Sequence, residues 1–205
     1  MSIAPPATAD GEIAGVDPIA RFHELFAAAR ASETADPTAA TLATADGDGR
    51  PSARVVLVKS VDERGFRFFT NLTSRKARDL EVNPRAALCF HWPTMAQQVR
   101  IEGPVEPLAA AESDSYFAAR PLESQIGAWA SRQSAPLPSR EVLEERVARV
   151  AERYAGGPVP RPPFWGGYRL VPEVIELWSG RDFRLHDRQL FRRDAEGWSM
   201  ERLYP

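Results

Sequence analysis

Four groups of side chains in this sequence have the types and spacing for gripping anions, each with an ordinary structural alternative beside it. RVVLVK, from Arg54 to Lys59, carries a cation at each end of an apolar run. Period-two alternation puts Arg54 and Lys59 on opposite faces of a strand, so one ligand can use both only where that strand lies at a rim or bulges. The plainer alternative is end charges snorkelling from a core strand. Thr70, Asn71, Ser74, Arg75 and Lys76 bring hydroxyls and two adjacent cations to the start of a helix. Unpaired N–H groups and partial positive charge there suit a phosphate monoester, and ordinary capping with solvated charge uses the same residue types.

The third group lies in YFAARPLESQIGAWASRQS, Tyr116 to Ser134. Tyr116 and Arg120 share a helix face, and Pro121 biases Arg120 out of helical geometry, so Arg120 belongs at a helix end that Ser124 can approach. Tyr, Arg and Ser converging on a helix break make a second anion pocket. The pair Gln133 and Ser134 is too polar for a purely structural segment, whereas Ile126 and Trp129 suit a core. The fourth group is LWSGRDFRLHDR, Leu177 to Arg188. Arg184, His186 and Arg188 alternate, so an extended strand would point all three one way, where they repel unless an anion or a carboxylate faces them.

Among familiar catalytic signatures, GxGxxG, GxxxxGK[ST], GxSxG and HExxH are all missing, and no two His stand at ligand spacing. Dinucleotide binding on a doubly wound sheet, P-loop chemistry, hydrolase triads and catalytic zinc lose their support, and no metal is expected. Cationic pockets beside aromatic residues, without an evident nucleophile, suit a protein whose bound cofactor does the chemistry.

Positioning such groups takes a particular set of elements. Asp17–Pro18 opens a helix running to about Ala31, with Ile19, Phe22, Leu25 and Phe26 at helical spacing. Two β-branched runs flank Asp46-Gly47-Asp48-Gly49, a hairpin signature. Gly65–Thr70 reads as a third strand, Thr73 and Ser74 cap RKARDLE as a short helix ended by Asn83 and Pro84, and Ala86–Trp92 with Gln97–Val105 form another strand pair. Helices follow at Ala109–Arg120, Glu123–Arg132 and Ser139–Tyr154, then strand character over Trp165–Trp178, Arg184–Phe191 and Trp198–Leu203. These elements predict one α+β domain, residues 17–205, with a β-barrel core, preceded by a mobile arm at residues 1–16.

The 205 residues suffice for a sizeable core without disulfides. Twenty-six Lys and Arg against 28 Asp and Glu give a net charge of −2, so no global cationic field draws the chain to nucleic acid or anionic membrane, and anion recognition must be local. Cys89 has no partner within the chain, which fits a reducing compartment; without a spanning apolar run or a secretory leader, the expectation is a cytoplasmic protein.

Taken in order, RVVLVK (54–59), FFTNLTSRK (68–76), QQVRIEG (97–103), the Tyr116–Ser134 segment, FWGGYR (164–169), RLHDR (184–188) and the closing RLYP resemble the pyridoxine/pyridoxamine 5'-phosphate oxidases over Pro37–Pro205. The resemblance implies an FMN-binding split β-barrel with flanking helices, homodimeric, with each flavin at the subunit interface. It implies FMN contacts from Arg54, Val55, Val56, Leu57, Val58, Lys59, Phe69, Thr70, Arg75, Lys76, Gln98, Gln133, Ser134, Trp178 and Arg188, several of them across the interface. It places Lys59, Tyr116, Arg120 and Ser124 around the substrate phosphate, and gives Arg184 and His186 the catalytic part, covering the pyridine ring.

The activity implied is oxidation of pyridoxine 5'-phosphate and pyridoxamine 5'-phosphate to pyridoxal 5'-phosphate, with hydride passing to the flavin and dioxygen leaving as hydrogen peroxide. Residues 1–16 lack the Arg and Tyr that typical members carry there, Leu177 stands where an aromatic usually precedes Trp178, and Tyr204 replaces a small residue. These departures keep two alternatives open: a same-fold oxidase of another planar metabolite, such as a phenazine precursor, and a flavin or pyridoxal phosphate carrier without turnover.

Overall fold

The computed structural model describes residues 17–205; the arm expected at residues 1–16 lies outside the described residues. The elements are α1 (Pro18–Ser32), β1 (Ala39–Ala45), β2 (Pro51–Asp62), β3 (Gly65–Asn71), α2 (Arg75–Val82), β4 (Arg85–Trp92), β5 (Gln97–Pro107), α3 (Ala110–Ala118), α4 (Leu122–Ala130), α5 (Arg140–Arg153), β6 (Trp165–Leu170), β7 (Val174–Ser179), β8 (Asp187–Arg193) and β9 (Trp198–Arg202). The order β4-β1-β2-β3-β6-β5 closes into a six-stranded antiparallel barrel because β5 pairs back on β4, and β7, β8 and β9 extend the sheet from β5. The α+β barrel expected from the strand meander is the fold found.

The split occurs within β5. Residues 97–102 pair with β7, whereas 105–107 pair with β6 on the same side. Gly103 sits at the changeover, where the Val171 carbonyl approaches so closely that a Cβ would lie 2.0 Å from its oxygen. Only glycine admits that approach. The segment with strand character, Trp165–Trp178, is two strands, β6 between β3 and β5 and β7 between β5 and β8.

Alternating burial along β1, where Ala40, Leu42 and Thr44 face inward, sets the barrel interior. The Asp17 side chain accepts the Ile19 N–H at 2.9 Å to open α1. That helix drives a fully buried Phe22 among Phe66, Phe90 and Trp92, at ring-centroid distances of 5.0, 5.2 and 5.9 Å. Burying such a ring contributes about 1.5–3 kcal/mol. A second apolar cluster, centred on Phe117, Val159 and Trp165, packs α3 and α4 against the barrel wall and so fixes the third group of candidate residues.

One expectation fails. Arg184 and His186 are not on a strand: Asp182–Arg184 form a 3-10 turn, with Phe183 and Arg184 at φ of 58° and 63°, and β8 starts only at Asp187. The left-handed pair breaks the period-two alternation on which the shared face of Arg184, His186 and Arg188 depended. The Arg181 N–H donates to His186 Nδ1 at 3.2 Å and the Leu185 N–H to the Asp182 carbonyl at 3.1 Å, closing the turn.

Candidate functional site

A cleft of about 820 Å³ runs along β2 and takes in the N-terminus of α2 and the break between α3 and α4. Arg54, Lys59, Arg75, Lys76 and Arg120 all line it, and among the described residues no Asp or Glu does. Such a concentration of one sign of charge needs an anion to offset it. Both conditions for joint use of Arg54 and Lys59 are met: β2 forms the wall of the cleft, and its register with β3 shifts between Val58 and Ser60, leaving Lys59 at the bulge.

At one end, the Lys76 ammonium donates to Thr70 Oγ1 at 3.0 Å, Gln133 Oε1 at 3.1 Å and Ser74 Oγ at 3.3 Å. The Thr70 hydroxyl also donates to Gln133 Oε1, at 2.9 Å. Lys76 is only 7% exposed and all three acceptors are neutral. Burial pushes its pKa down to about 8, and the Arg54 charge pushes the same way.

The N-terminus of α2 is capped from afar: the Arg75 N–H donates to Ser134 Oγ at 3.1 Å, with Ser134 at φ 70°. Ser74, expected as the cap from its position, makes no side-chain cap bond. Arg54 donates to Thr44 Oγ1 at 2.7 Å, Ser52 Oγ at 2.7 Å and the Leu42 carbonyl at 3.3 Å.

At the other end, Tyr116, Arg120 and Ser124 converge as the helix break required. The Gln125 side chain donates to the Arg120 and Ala118 carbonyls, at 2.8 and 3.3 Å, and so holds that break. Tyr116 stacks on Phe69 with 4.0 Å between centroids, and Phe69 stacks on Trp165 at 5.4 Å. Gly167 makes room for the Phe69 ring, since a Cβ there would lie 2.7 Å from it. The buried Arg120 Nη1 has no hydrogen-bond partner. Burial lowers the Arg120 pKa, the Tyr116 hydroxyl opposing that shift, and burial raises that of Tyr116.

The fit of a flavin mononucleotide and a second phosphorylated ring rests on these features. A buried ammonium with only neutral partners and a buried guanidinium nitrogen with none both lack a ligand of negative charge. Arg54, Thr70, Arg75, Lys76, Gln133 and Ser134 suit one phosphate, and Lys59, Tyr116, Arg120 and Ser124 the other.

The remaining candidates lie elsewhere. Val58 is buried in the barrel core and lines no part of the cleft, unlike Val55, Val56, Leu57 and Phe69. Gln98 and Trp178 are register partners on β5 and β7, and the Trp178 ring lies 4.6 Å from that of His186. Arg188 is held by the buried Glu176 at 2.8 and 3.2 Å and by the Tyr204 carbonyl at 2.9 Å. Among the described residues, the carboxylate allowed for opposite Arg184, His186 and Arg188 is thus found at Arg188 alone. None of Gln98, Trp178, Arg184, His186 and Arg188 reaches the cleft of its own chain.

Trp165, Thr44 and Asp79 are functional residues that the sequence alone does not single out as such. A threonine at an inward position of β1 was the available signal for Thr44; nothing local marks Asp79 as buried.

Residues 26–154 match the family profile described as pyridoxamine 5'-phosphate oxidase, and residues 165–205 that of the pyridoxine 5'-phosphate oxidase C-terminal dimerisation region. A pyridoxine/pyridoxamine 5'-phosphate oxidase of Anaeromyxobacter dehalogenans is 58% identical over 192 residues, covering 94% of this chain and 97% of the relative. Its namesake in Myxococcus xanthus is 54% identical over 189 residues, covering 92% of each. Among solved structures, PhzG from Burkholderia lata in complex with tetrahydrophenazine-1-carboxylic acid superposes with a TM-score of 0.89 at 36% identity, covering 94% of this chain and 95% of that one. A pyridoxamine 5'-phosphate oxidase-related, FMN-binding protein of Nostoc punctiforme shares the fold, with a TM-score of 0.73 at 19% identity over 93% of this chain and 99% of that one. With its barrel, its dimerisation region and these relatives, the chain belongs to the pyridoxine/pyridoxamine 5'-phosphate oxidase family of oxidoreductases.

Proposed function

We propose that the protein is an FMN-dependent oxidase of pyridoxine 5'-phosphate and pyridoxamine 5'-phosphate. Pyridoxine phosphate and O2 give pyridoxal 5'-phosphate and H2O2; the amine also takes up water and releases ammonia. The observation that carries this reading is a cleft with two cationic ends, one at Lys76 and one at the unpartnered Arg120 Nη1, each suited to one phosphate. Bound FMN would supply a two-electron acceptor that dioxygen can reoxidise.

The chain's own residues bind and orient. Arg54, Arg75, Lys76 and Ser134 would hold the flavin phosphate, and Lys59, Tyr116, Arg120 and Ser124 the substrate phosphate. Fixing both tails fixes the separation of the two rings, and pre-set geometry of this kind lowers a barrier by several kcal/mol. Trp178, Arg184, His186, Arg188 and Gln98 would complete the site from the second subunit. Phe183 and Leu185, 91% and 66% exposed in the turn beside His186, suit burial against that subunit.

The test is anaerobic mixing with pyridoxamine 5'-phosphate. The yellow absorbance of the holoprotein should bleach, and air should restore it with one peroxide per aldehyde formed. A holoprotein that stayed yellow would overturn the reading. The PhzG likeness favours a second reading, oxidation of a reduced planar carboxylic acid, in which a dihydrophenazine bleaches the flavin and the phosphorylated vitamers do not. Tight flavin binding without oxygen uptake on any vitamer or on the dihydrophenazine would instead mark a carrier.

A further inference from the structure

Behind the cationic wall of the cleft stands a carboxylate that does not line it. Asp79, on α2, is 5% exposed, and Thr44, on β1, is 4% exposed. The Thr44 hydroxyl donates to Asp79 Oδ2 at 2.7 Å and accepts from Arg54 Nη1 at 2.7 Å. Arg54 Nη2 lies 3.7 Å from the same Asp79 oxygen. A threonine hydroxyl has one proton and two lone pairs. With the proton committed to Asp79, a lone pair is left facing the guanidinium, so the chain Arg54, Thr44, Asp79 has one direction and one geometry.

This relay joins three elements. Arg54 comes from β2, Thr44 from β1, and Asp79 from the helix whose first turn carries Arg75 and Lys76. We propose that Asp79 and Thr44 are positioning residues for anion recognition: they aim the Arg54 guanidinium into the cleft and lock β1 to the helix bearing the other two cations. The proposal rests on the reading of this end of the cleft as the flavin phosphate seat.

Charge and geometry predict opposite outcomes. If Asp79 acted only as a negative charge near the phosphate, Asp79→Asn would tighten FMN binding by removing repulsion. If it positions Arg54, the same change weakens FMN binding, because losing the Asp79 charge leaves the guanidinium with neutral partners only, Thr44, Ser52 and the Leu42 carbonyl, and less firmly ordered before the anion arrives. Thr44→Val keeps the size and the charge and breaks the relay alone. Riboflavin has the same ring without the phosphate, so it separates phosphate recognition from general damage to the fold.

The experiment is titration of the apo-protein with FMN and with riboflavin, read by flavin fluorescence, for the wild type, Asp79→Asn, Thr44→Val and Thr44→Ser. The expected result is a Kd for FMN raised about tenfold in Asp79→Asn and Thr44→Val, with the riboflavin Kd within about twofold of wild type and Thr44→Ser restored, as expected for loss of one hydrogen bond to a charged group. Equal losses for both flavins, or tighter FMN binding in Asp79→Asn, would overturn the proposal. Should Asp79→Asn fail to fold, the Thr44→Val and Thr44→Ser pair decides. A wild type that bound both flavins equally would remove the phosphate reading itself; a wild-type preference for FMN surviving in Thr44→Val would remove only the relay.

Discussion

The Arg120 guanidinium carbon lies 4.9 Å from the centre of the Trp165 ring, and its Nη1 has no hydrogen-bond partner. The indole face attracts the cation, and Nη1 is buried away from water. A guanidinium held against a ring with one buried nitrogen unpaired is ready for a phosphate, since it has less ordering still to lose when the ligand arrives.

Arg120→Ala should therefore raise KM for pyridoxamine 5'-phosphate by about 30-fold or more, corresponding to about 2 kcal/mol for a charged hydrogen bond lost, with flavin content unchanged. Arg120→Lys should recover little, because an ammonium neither forks nor stacks as a guanidinium does. Steady-state kinetics beside the flavin-to-protein absorbance ratio check both. Loss of flavin with unchanged KM would move Arg120 to the other phosphate.

Lys76 gives a pH dependence with a definite sign. Its pKa falls from 10.5 in the open chain to about 8 in the fold, so between those values the unfolded chain binds more protons than the folded one. The apo-protein should gain stability as pH rises through that window, and FMN affinity should fall over the same range because the neutral amine cannot pair with phosphate. Lys76→Met should flatten both profiles, as followed by denaturant unfolding and flavin titration at pH 7 to 10.5.

If each cleft is completed by the second subunit, Arg120→Ala and His186→Ala are defects in different halves of one site. Mixing and refolding the two impaired variants, assayed at substrate well below the raised KM, should then restore wild-type activity in about one quarter of sites, because half the dimers are mixed and each holds one intact site. A mixture as inactive as its components would place His186 outside the shared site. Arg184→Ala should lower turnover with flavin retained, whereas Arg75→Ala with Lys76→Ala should empty the flavin first.

Gly103→Ala tests the barrel split. The added methyl would sit 2.0 Å from the Val171 carbonyl oxygen, a backbone atom tied into β5 through hydrogen bonds on either side. The variant should lose about 2 kcal/mol or more of stability, seen as a melting temperature lower by several degrees. A wild-type melting curve would show that the contact between β5 and the β6–β7 connection can relax.

Local rules read most of the elements correctly. Helix caps, hairpin glycines and alternating burial act over a few residues, and α1, α2 and β1, β3, β4 and β5 follow from them within a residue or two, with β2 running three residues past Lys59. The same rules misjudged Arg184–His186, where a turn closed by His186 Nδ1 and by the Asp182 carbonyl overrides the strand pattern. They left open what faces Arg188, whose partner Glu176 is on the neighbouring strand. Cross-strand pairing depends on register, which alternation alone does not specify.

By itself, the order of residues determined the type of chemistry, namely cations and hydroxyls for anions without a nucleophile, and the helix break that brings Tyr116, Arg120 and Ser124 together. Only the tertiary structure decided which of these groups share a cleft and which stay empty-handed. Ser134 caps Arg75 across 59 positions, Gln133 meets Thr70 across 63, and Asp79 reaches Arg54 through Thr44 on a third element. Contacts of that separation exist because the barrel closes and α3 and α4 pack on its wall, and burial then leaves the Lys76 ammonium without a carboxylate and Arg120 Nη1 without a partner.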